Sequence, residues 1–239
     1  MCARITITTT AAEVADLFGL AHDTRAQEPR YNVAPSALVP VVRAGAAGAR
    51  ELAELRWGLV PHWNTDPKHA GFVNARAETA AGKPAFRDPL RFRRCVVVAG
   101  GFYEWKAVGR TTKQPYFVRR ADGRPLALAA VWDRWNNGPG GAVDAVAVLT
   151  VAANELIRPL HARMPAVLTP DRFGAWLDPR ETRAAEVLSL LTACPDGELE
   201  MWPVGAKVNA VAADGVELLA PVPEPFGRTW TQLTLFDAA

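Results

Sequence analysis

At 239 residues, with 49% apolar and 22% charged side chains, the chain has an ordinary globular balance and room for one large domain or two small ones. A formal charge of +2 excludes a polyelectrolyte and leaves space for a local basic groove. No apolar run reaches the ~18 residues of a membrane span, nothing at the start has the zones of a secretory leader, and the three cysteines, Cys2, Cys95 and Cys194, lack metal-ligand spacing; a reduced, cytoplasmic monomer without membrane, metal or cofactor is expected.

In chain order, Ile5, Thr6 and Ile7 predict a strand over 4–8 that ties the N-terminus to the body of the domain. Thr10 caps a short helix whose Val14, Leu17 and Phe18 keep helical spacing and which Gly19 stops. A polar loop runs to Arg30-Tyr31-Asn32-Val33-Ala34-Pro35, and strands follow at 38–42 and 52–57. The loop 57–63 is rich in turns and aromatics: Trp57 reads as a packing residue, Trp63 as a packing residue or a stacking platform, and His62 as a surface residue. Asn74 and Arg76, two apart, face one side of an extended segment. The basic run Lys83, Arg87, Arg91, Arg93 and Arg94, interleaved with Phe86 and Phe92, is either a solvated face or one wall of a nucleic-acid groove.

Residues 95–99 read as a buried strand, Gly100-Gly101 as a bulge or a close backbone approach, and 102–105 as the strand resumed. Glu104 lies among aromatics there, where lost hydration favours its protonated form and suits proton transfer near neutrality; an outward-facing strand glutamate is the plainer alternative. Strands are expected at 115–119, 126–132 and 143–151, and a helical segment at 153–160. After His161 a strand runs to 168, followed by helices at 171–177 and 182–193, the second with Ala185, Leu188, Leu191 and Thr192 inward. A strand-rich end reaches 208–211 and 218–219. Many strands with few helices give an α+β class, a single domain over 2–222 with a strongly curved, barrel-like mixed sheet flanked by short helices. Pro221, Pro223 and Pro225 then open a tail over 223–239.

The most reactive feature is Cys2. Removal of the initiator methionine before this small residue leaves an α-amine and a thiol on one residue. The amine condenses with an aldehyde to a Schiff base, and the thiol closes a five-membered thiazolidine. An α-amine has a pKa of ~7.7–8.0 against ~10.4 for lysine, so it is available near neutrality without burial. Ring closure is intramolecular and gains the corresponding effective molarity, of order ~10⁵ M or more for well-oriented groups.

Seven motifs occur in order: Cys2-x-Arg4, Tyr31-Asn-x-Ala-Pro35, Trp57-Gly-Leu-x-Pro-x-Trp63, Asn74-Ala-Arg-x-Glu-Thr79, Gly101-Phe-Tyr-Glu-Trp105, Thr150 with Ala153-Asn154, and His161-x-Arg-Met-Pro165. Together they resemble the SOS response-associated peptidase family, also called abasic-site processing proteins, over roughly residues 2–222. The resemblance implies covalent capture, as a thiazolidine, of abasic sites in single-stranded DNA, whose ring-opened sugar is an aldehyde. It implies that Cys2 supplies amine and thiol, Asn74 orients the amine, Glu104 shuttles protons, and His161 protonates the ring oxygen or assists β-elimination. It also implies that Arg4, Arg76 and Arg163 hold flanking phosphates, that Thr150 belongs to the DNA-binding set, and that Pro35, Trp63 and Trp105 shape the sugar pocket. Ala3, Ile5, Val98 and Gly100 stand where the family usually has Gly, Phe, Pro and Asp. A thiol peptidase built on Cys2, Glu104 and His161, and a passive single-strand reader, remain as alternatives. In the tail, Gln232-Leu233-Thr234-Leu235-Phe236 resembles the pentapeptide by which bacterial repair proteins bind the sliding clamp: Leu233, Leu235 and Phe236 are the apolar positions and Gln232 the hydrogen-bonding anchor. On DNA the protein is expected at the nucleoid.

Overall fold

The structure, a computed structural model, describes residues 2–20, 28–45, 48–66, 68–138 and 140–223. The tail motif at 232–236 lies outside the described residues. The elements are β1 (Ile5–Ile7), α1 (Ala11–Phe18), β2 (Arg30–Val33), β3 (Leu38–Ala44), β4 (Arg50–Trp57), β5 (Asn74–Arg76), α2 (Ala77–Ala80), α3 (Pro84–Phe92), β6 (Arg94–Ala99), β7 (Gly101–Ala107), β8 (Lys113–Arg120), β9 (Leu126–Gly138), β10 (Gly141–Ala152), β11 (Arg163–Pro165), α4 (Phe173–Leu177), α5 (Ala184–Ser189) and β12 (Leu199–Pro203).

Five strands close on themselves. β10 pairs β4 in parallel, and β4–β3, β3–β6, β6–β9 and β9–β10 are antiparallel, so the ring is a mixed barrel. The expected curved, mixed sheet is therefore a closed one. β6 shows why its sequence is an unbroken apolar run: it is paired on both edges and buried at every residue. β5 and β11 add to the far half of β10, with Asn74 opposite Val148, Arg76 opposite Thr150, and Arg163 opposite Ala152. The chain leaves β10 at the end of β4, makes the excursion 58–73, and returns alongside β10 as β5. A second, wholly antiparallel sheet runs β12-β8-β7-β1-β2.

Gly100 and Gly101 carry the chain from the barrel into this second sheet. A Cβ on Gly101 would overlap the Phe117 ring and meet the Val118 carbonyl at 2.6 Å, and one on Gly100 would overlap the Thr8 hydroxyl. The glycine pair is thus a close approach, and Thr8 fills the space that a larger residue at position 100 would need. α1 forms as expected: the Thr10 hydroxyl accepts from the Glu13 N–H, the Glu13 carboxylate accepts from the Thr10 N–H, and Gly19 closes the helix at φ 63°.

Several expectations need correction. Residues 30–33 are a strand, not the end of a loop. The basic run at 83–94, for which no element was expected, is largely the helix α3, started by Pro84 at its first turn. Residues 153–160 form successive turns and no helix: the Asn154 side-chain oxygen accepts the Ile157 N–H at 3.0 Å, and Pro159 has no N–H to continue. α5 is shorter than 182–193, with Val187 inward and Ala185 and Thr192 exposed. The segments 206–209 and 216–219 are 3₁₀ turns rather than strands. No helix among the described residues is long and apolar enough to cross a membrane.

Candidate active site

The site forms where the two sheets meet. Pairing of Ile5 with Phe102 and Thr6 with Gly101, extended by the Tyr103 N–H to the Arg4 carbonyl at 2.9 Å, lays residues 2–4 beside Glu104 and Trp105 on β7. From the barrel side, the Asn74 amide on β5 donates to the Cys2 carbonyl at 2.7 Å. That bond joins the two halves. The Asn74 side-chain oxygen is buried and accepts no hydrogen bond among the described residues. Cys2 and the Glu104 side chain are both buried. Burial first, and the Glu104 carboxylate second, push the Cys2 thiol up to about 12.

Arg4 is held rather than free. Its guanidinium donates to the Asn32 side-chain oxygen at 2.5 Å and the Val208 carbonyl at 2.9 Å, and lies 5.9 Å from the centre of the Trp105 ring. Asn32 in turn donates to the carbonyls of Ala210 and Ala213, and Trp105 donates to Asn209 at 2.8 Å. The 205–215 segment is thereby latched over the N-terminal strand. Asn32 stands within a motif visible in the sequence, but its carbonyl partners lie some 176–181 residues away, and no local signal announces them.

On the barrel side, the His161 Nδ1 lies against the Arg163 backbone, 2.9 Å from its N–H and 3.2 Å from its carbonyl oxygen. Arg163 makes a two-pronged pair with Glu78 at 2.6 and 2.8 Å and also donates to the Thr150 carbonyl. Its expected phosphate contact is therefore occupied by Glu78, a carboxylate that sequence reasoning passed over. Trp63, Asn74, Arg76 and Lys83 border one cavity of about 640 Å³, with Phe72 and Phe86 among its walls. Trp63 is 56% exposed while Trp57 is buried with its indole N–H on the Val73 carbonyl, so the first is available for stacking and the second packs. Pro35 sits half-buried in the turn between β2 and β3.

The basic run divides. Arg94 is buried, donating to the carbonyls of Leu90, Arg91, Trp176 and Asp178, and Arg93 pairs with Asp133. These are structural ties, and among the run only Lys83 borders the cavity next to Asn74. Among the described residues no cluster of three His, Cys, Asp or Glu side chains could hold a metal ion.

The family model for SOS response associated peptidase (SRAP) matches residues 1–211. The chain belongs to the SRAP family. It is 34% identical over 223 residues to the abasic site processing protein YoqW of Bacillus subtilis (strain 168), spanning 92% of this chain and 99% of that one. It is 33% identical over 226 residues to the abasic site processing protein HMCES of Gallus gallus, spanning 81% and 66% respectively. A solved protein of Bacteroides thetaiotaomicron shares the fold at a TM-score of 0.79 and 24% identity, over 93% of this chain and all (100%) of that one. A second, from Bordetella bronchiseptica, matches at 0.73 and 26% identity, over 85% of this chain and 100% of its own. Within this SRAP chain, the expected site residues spread over a Cys2–Asn74–Glu104 centre, Trp63 and Arg76 on the adjoining cavity, Arg4 and Trp105 on the side of the second sheet with Pro35 in the β2–β3 turn, and Thr150, His161 and Arg163 on and just before the β10–β11 pair.

Proposed function

We propose that the protein processes abasic sites in single-stranded DNA, capturing the ring-opened sugar through Cys2 as a thiazolidine crosslink that shields the lesion. The observation that carries this reading is the Asn74 side chain: its amide grips the Cys2 carbonyl, and its buried oxygen is left to accept a hydrogen bond. Removal of Met1 supplies the donor, an α-amine on the same residue. The amine nitrogen bonds to the aldehyde carbon, and the carbonyl oxygen departs as water to leave an iminium. The thiol then loses its proton, sulfur bonds to the same carbon, and the iminium electrons return to nitrogen. With the thiol held protonated near neutrality, sulfur attack requires a proton acceptor in place, and Glu104 beside it fills that role.

An open iminium is an electron sink that permits β-elimination. Ring closure removes it, so the thiol protects the strand and the amine alone behaves as a lyase; protonation of the sugar oxygen is the role proposed for His161. Trp63, Arg76 and Lys83 around one cavity suit a single strand, which offers unstacked bases and phosphates together. Arg4, Trp105 and Pro35 are the flanking residues left for the strand to meet; Thr150, expected among the DNA contacts, is fully buried with its hydroxyl on the Ala75 carbonyl and can act only from beneath, through Arg163. For Arg163 to hold a phosphate, the phosphate must displace Glu78. We further propose that Gln232–Phe236 docks on the sliding clamp; deleting these five residues is expected to abolish co-elution with clamp, and undiminished co-elution would end that idea.

The test of covalent capture is intact mass after denaturation. A single-stranded oligonucleotide with one abasic site is expected to give an adduct of the chain beginning at Cys2, surviving without reductant. Cys2→Ala, and an undamaged oligonucleotide, are expected to give none. An adduct that persists in Cys2→Ala, or wild-type protein that yields none with Met1 removed, refutes the reading.

A further inference from the structure

The strand β9 outlasts its partner β6: their pairing ends at Val131 opposite Arg94, while β9 continues to Gly138. Along that outer end, Asp133, Trp135 and Asn137 alternate and so share one face. Each grips the excursion 58–73 within one residue of Trp63. Asp133 is 2% exposed; its Oδ2 accepts the His62 backbone N–H at 2.9 Å and lies 3.0 Å from His62 Nδ1, and its Oδ1 accepts the Arg134 N–H and pairs with Arg93 at 3.1 Å. On the other side, the Trp135 indole N–H donates to the Asn64 carbonyl at 2.8 Å, and the Asn137 amide donates to the same oxygen at 3.3 Å. Trp135 itself is buried. Thus the residues before and after Trp63 are fixed by a rail of side chains, while Trp63 itself stands in solvent at the cavity that adjoins Asn74.

We propose that this outer end of β9 is the positioning element that presents Trp63 to single-stranded DNA, with Asp133 acting through His62 and Trp135 and Asn137 acting through Asn64. An exposed indole on an unfixed loop must be ordered by the ligand that binds it, and the ordering weakens binding. A loop ordered beforehand leaves the stacking energy intact. The buried carboxylate is the strongest sign: Arg93 and the Arg134 N–H hold one oxygen of this desolvated Asp, and the other is spent wholly on the loop, on the His62 backbone N–H and the half-exposed imidazole. The proposal rests on the reading of the site as one for single-stranded DNA.

The test separates positioning from folding and from the covalent chemistry. The probe is a fluorescein-labelled single strand carrying a tetrahydrofuran abasic analogue, which has no aldehyde, followed by anisotropy with the full-length protein. Trp135→Phe keeps a buried aromatic ring but loses the pyrrole portion of the indole with its N–H, so its unfolding free energy is measured beside its affinity; His62→Ala removes only the partly exposed imidazole. Each is expected to weaken binding about 5–10-fold, the size of one lost hydrogen bond. In a Trp63→Ala background neither should weaken it further. With an aldehyde-bearing strand at saturation, both variants should form adduct at the wild-type maximal rate. Unchanged affinity, an equal loss in the Trp63→Ala background, or wild-type protein that does not bind the analogue strand would each overturn the proposal. Absence of adduct alone would count against covalent capture and leave this result standing.

Discussion

The barrel and the antiparallel sheet beside it hold their shares of the site by different physics. Barrel strands β6, β9 and β10 contribute side chains such as Val96, Leu128 and Val148 that have no exposure at all, and their hold is the non-directional one of apolar burial, ~1.5–3 kcal/mol for each large side chain. Residues 2–4 are held instead by a chain of directional bonds, from Asn74 to Cys2, from Arg4 to Asn32 and Val208, and from Asn32 to Ala210 and Ala213. Each such bond contributes only ~0.5–1.5 kcal/mol net, but it fixes an angle as well as a distance. The barrel therefore sets how much protein is folded, and the polar latch sets where the reacting residue points.

Paired variants break or sharpen that contrast. Leu128→Ala, in the barrel interior, is expected to cost about 2–5 kcal/mol in chemical denaturation, while adduct formation per folded molecule stays at the wild-type rate. Asn32→Ala is expected to cost less, ~1–3 kcal/mol for the polar groups it leaves unpaired, yet to slow adduct formation tenfold or more by releasing Arg4 and the 205–215 segment. A Leu128→Ala protein that is slow when folded, or an Asn32→Ala protein that is merely less stable, would erase the distinction.

The same contrast explains what could be read from the chain alone. Burial by apolar runs is a local property, so the strands expected at 95–99, 126–132 and 143–151 were legible, as was α1 with its Thr10–Glu13 cap, whereas the polar outer end of β9 to Gly138 was not. Closure of the ring was not, because the parallel pairing of Trp57 with Val146 joins segments that share no local pattern. The reacting group at Cys2 was legible as chemistry, since amine, thiol and aldehyde reactivity follow from residue type and position. Its surroundings were only partly so. Asn74, Glu104, Asn32 and Glu78 all stood in recognisable motifs, but the partners of Asn32 and Glu78 lie far along the chain and their roles could not be read; Asp133 stood in no motif at all. The basic run misled because charge does not reveal depth: Arg94 is 5% exposed and spends its guanidinium on backbone carbonyls.

The smallest effect sharpens the contrast most. Burial pushes the Cys2 thiol from 9.0 to about 12, with the Glu104 carboxylate adding to it, and burial likewise raises the Cys95 thiol on β6. In both, the folded chain keeps its proton to higher pH than the unfolded chain does. Their contribution is thus whole below pH 9.0 and is lost as pH rises toward the folded value, with a slope of at most about 1.4 kcal/mol per pH unit for each thiol. The two differ in what must open for the proton to leave. Cys95 lies in a strand paired on both edges and ionises only when the barrel unfolds, so its full slope enters global stability. Cys2 precedes a three-residue strand, and release of that strand alone frees its thiol, which caps its share at the free energy of local opening. Between pH 9 and 11, Cys95→Ala should therefore flatten the alkaline fall in unfolding free energy more than Cys2→Ala, which keeps the terminal amine and so isolates the thiol. Equal flattening would mean that residues 2–4 detach only when the barrel does, and that the latch and the barrel are one cooperative unit.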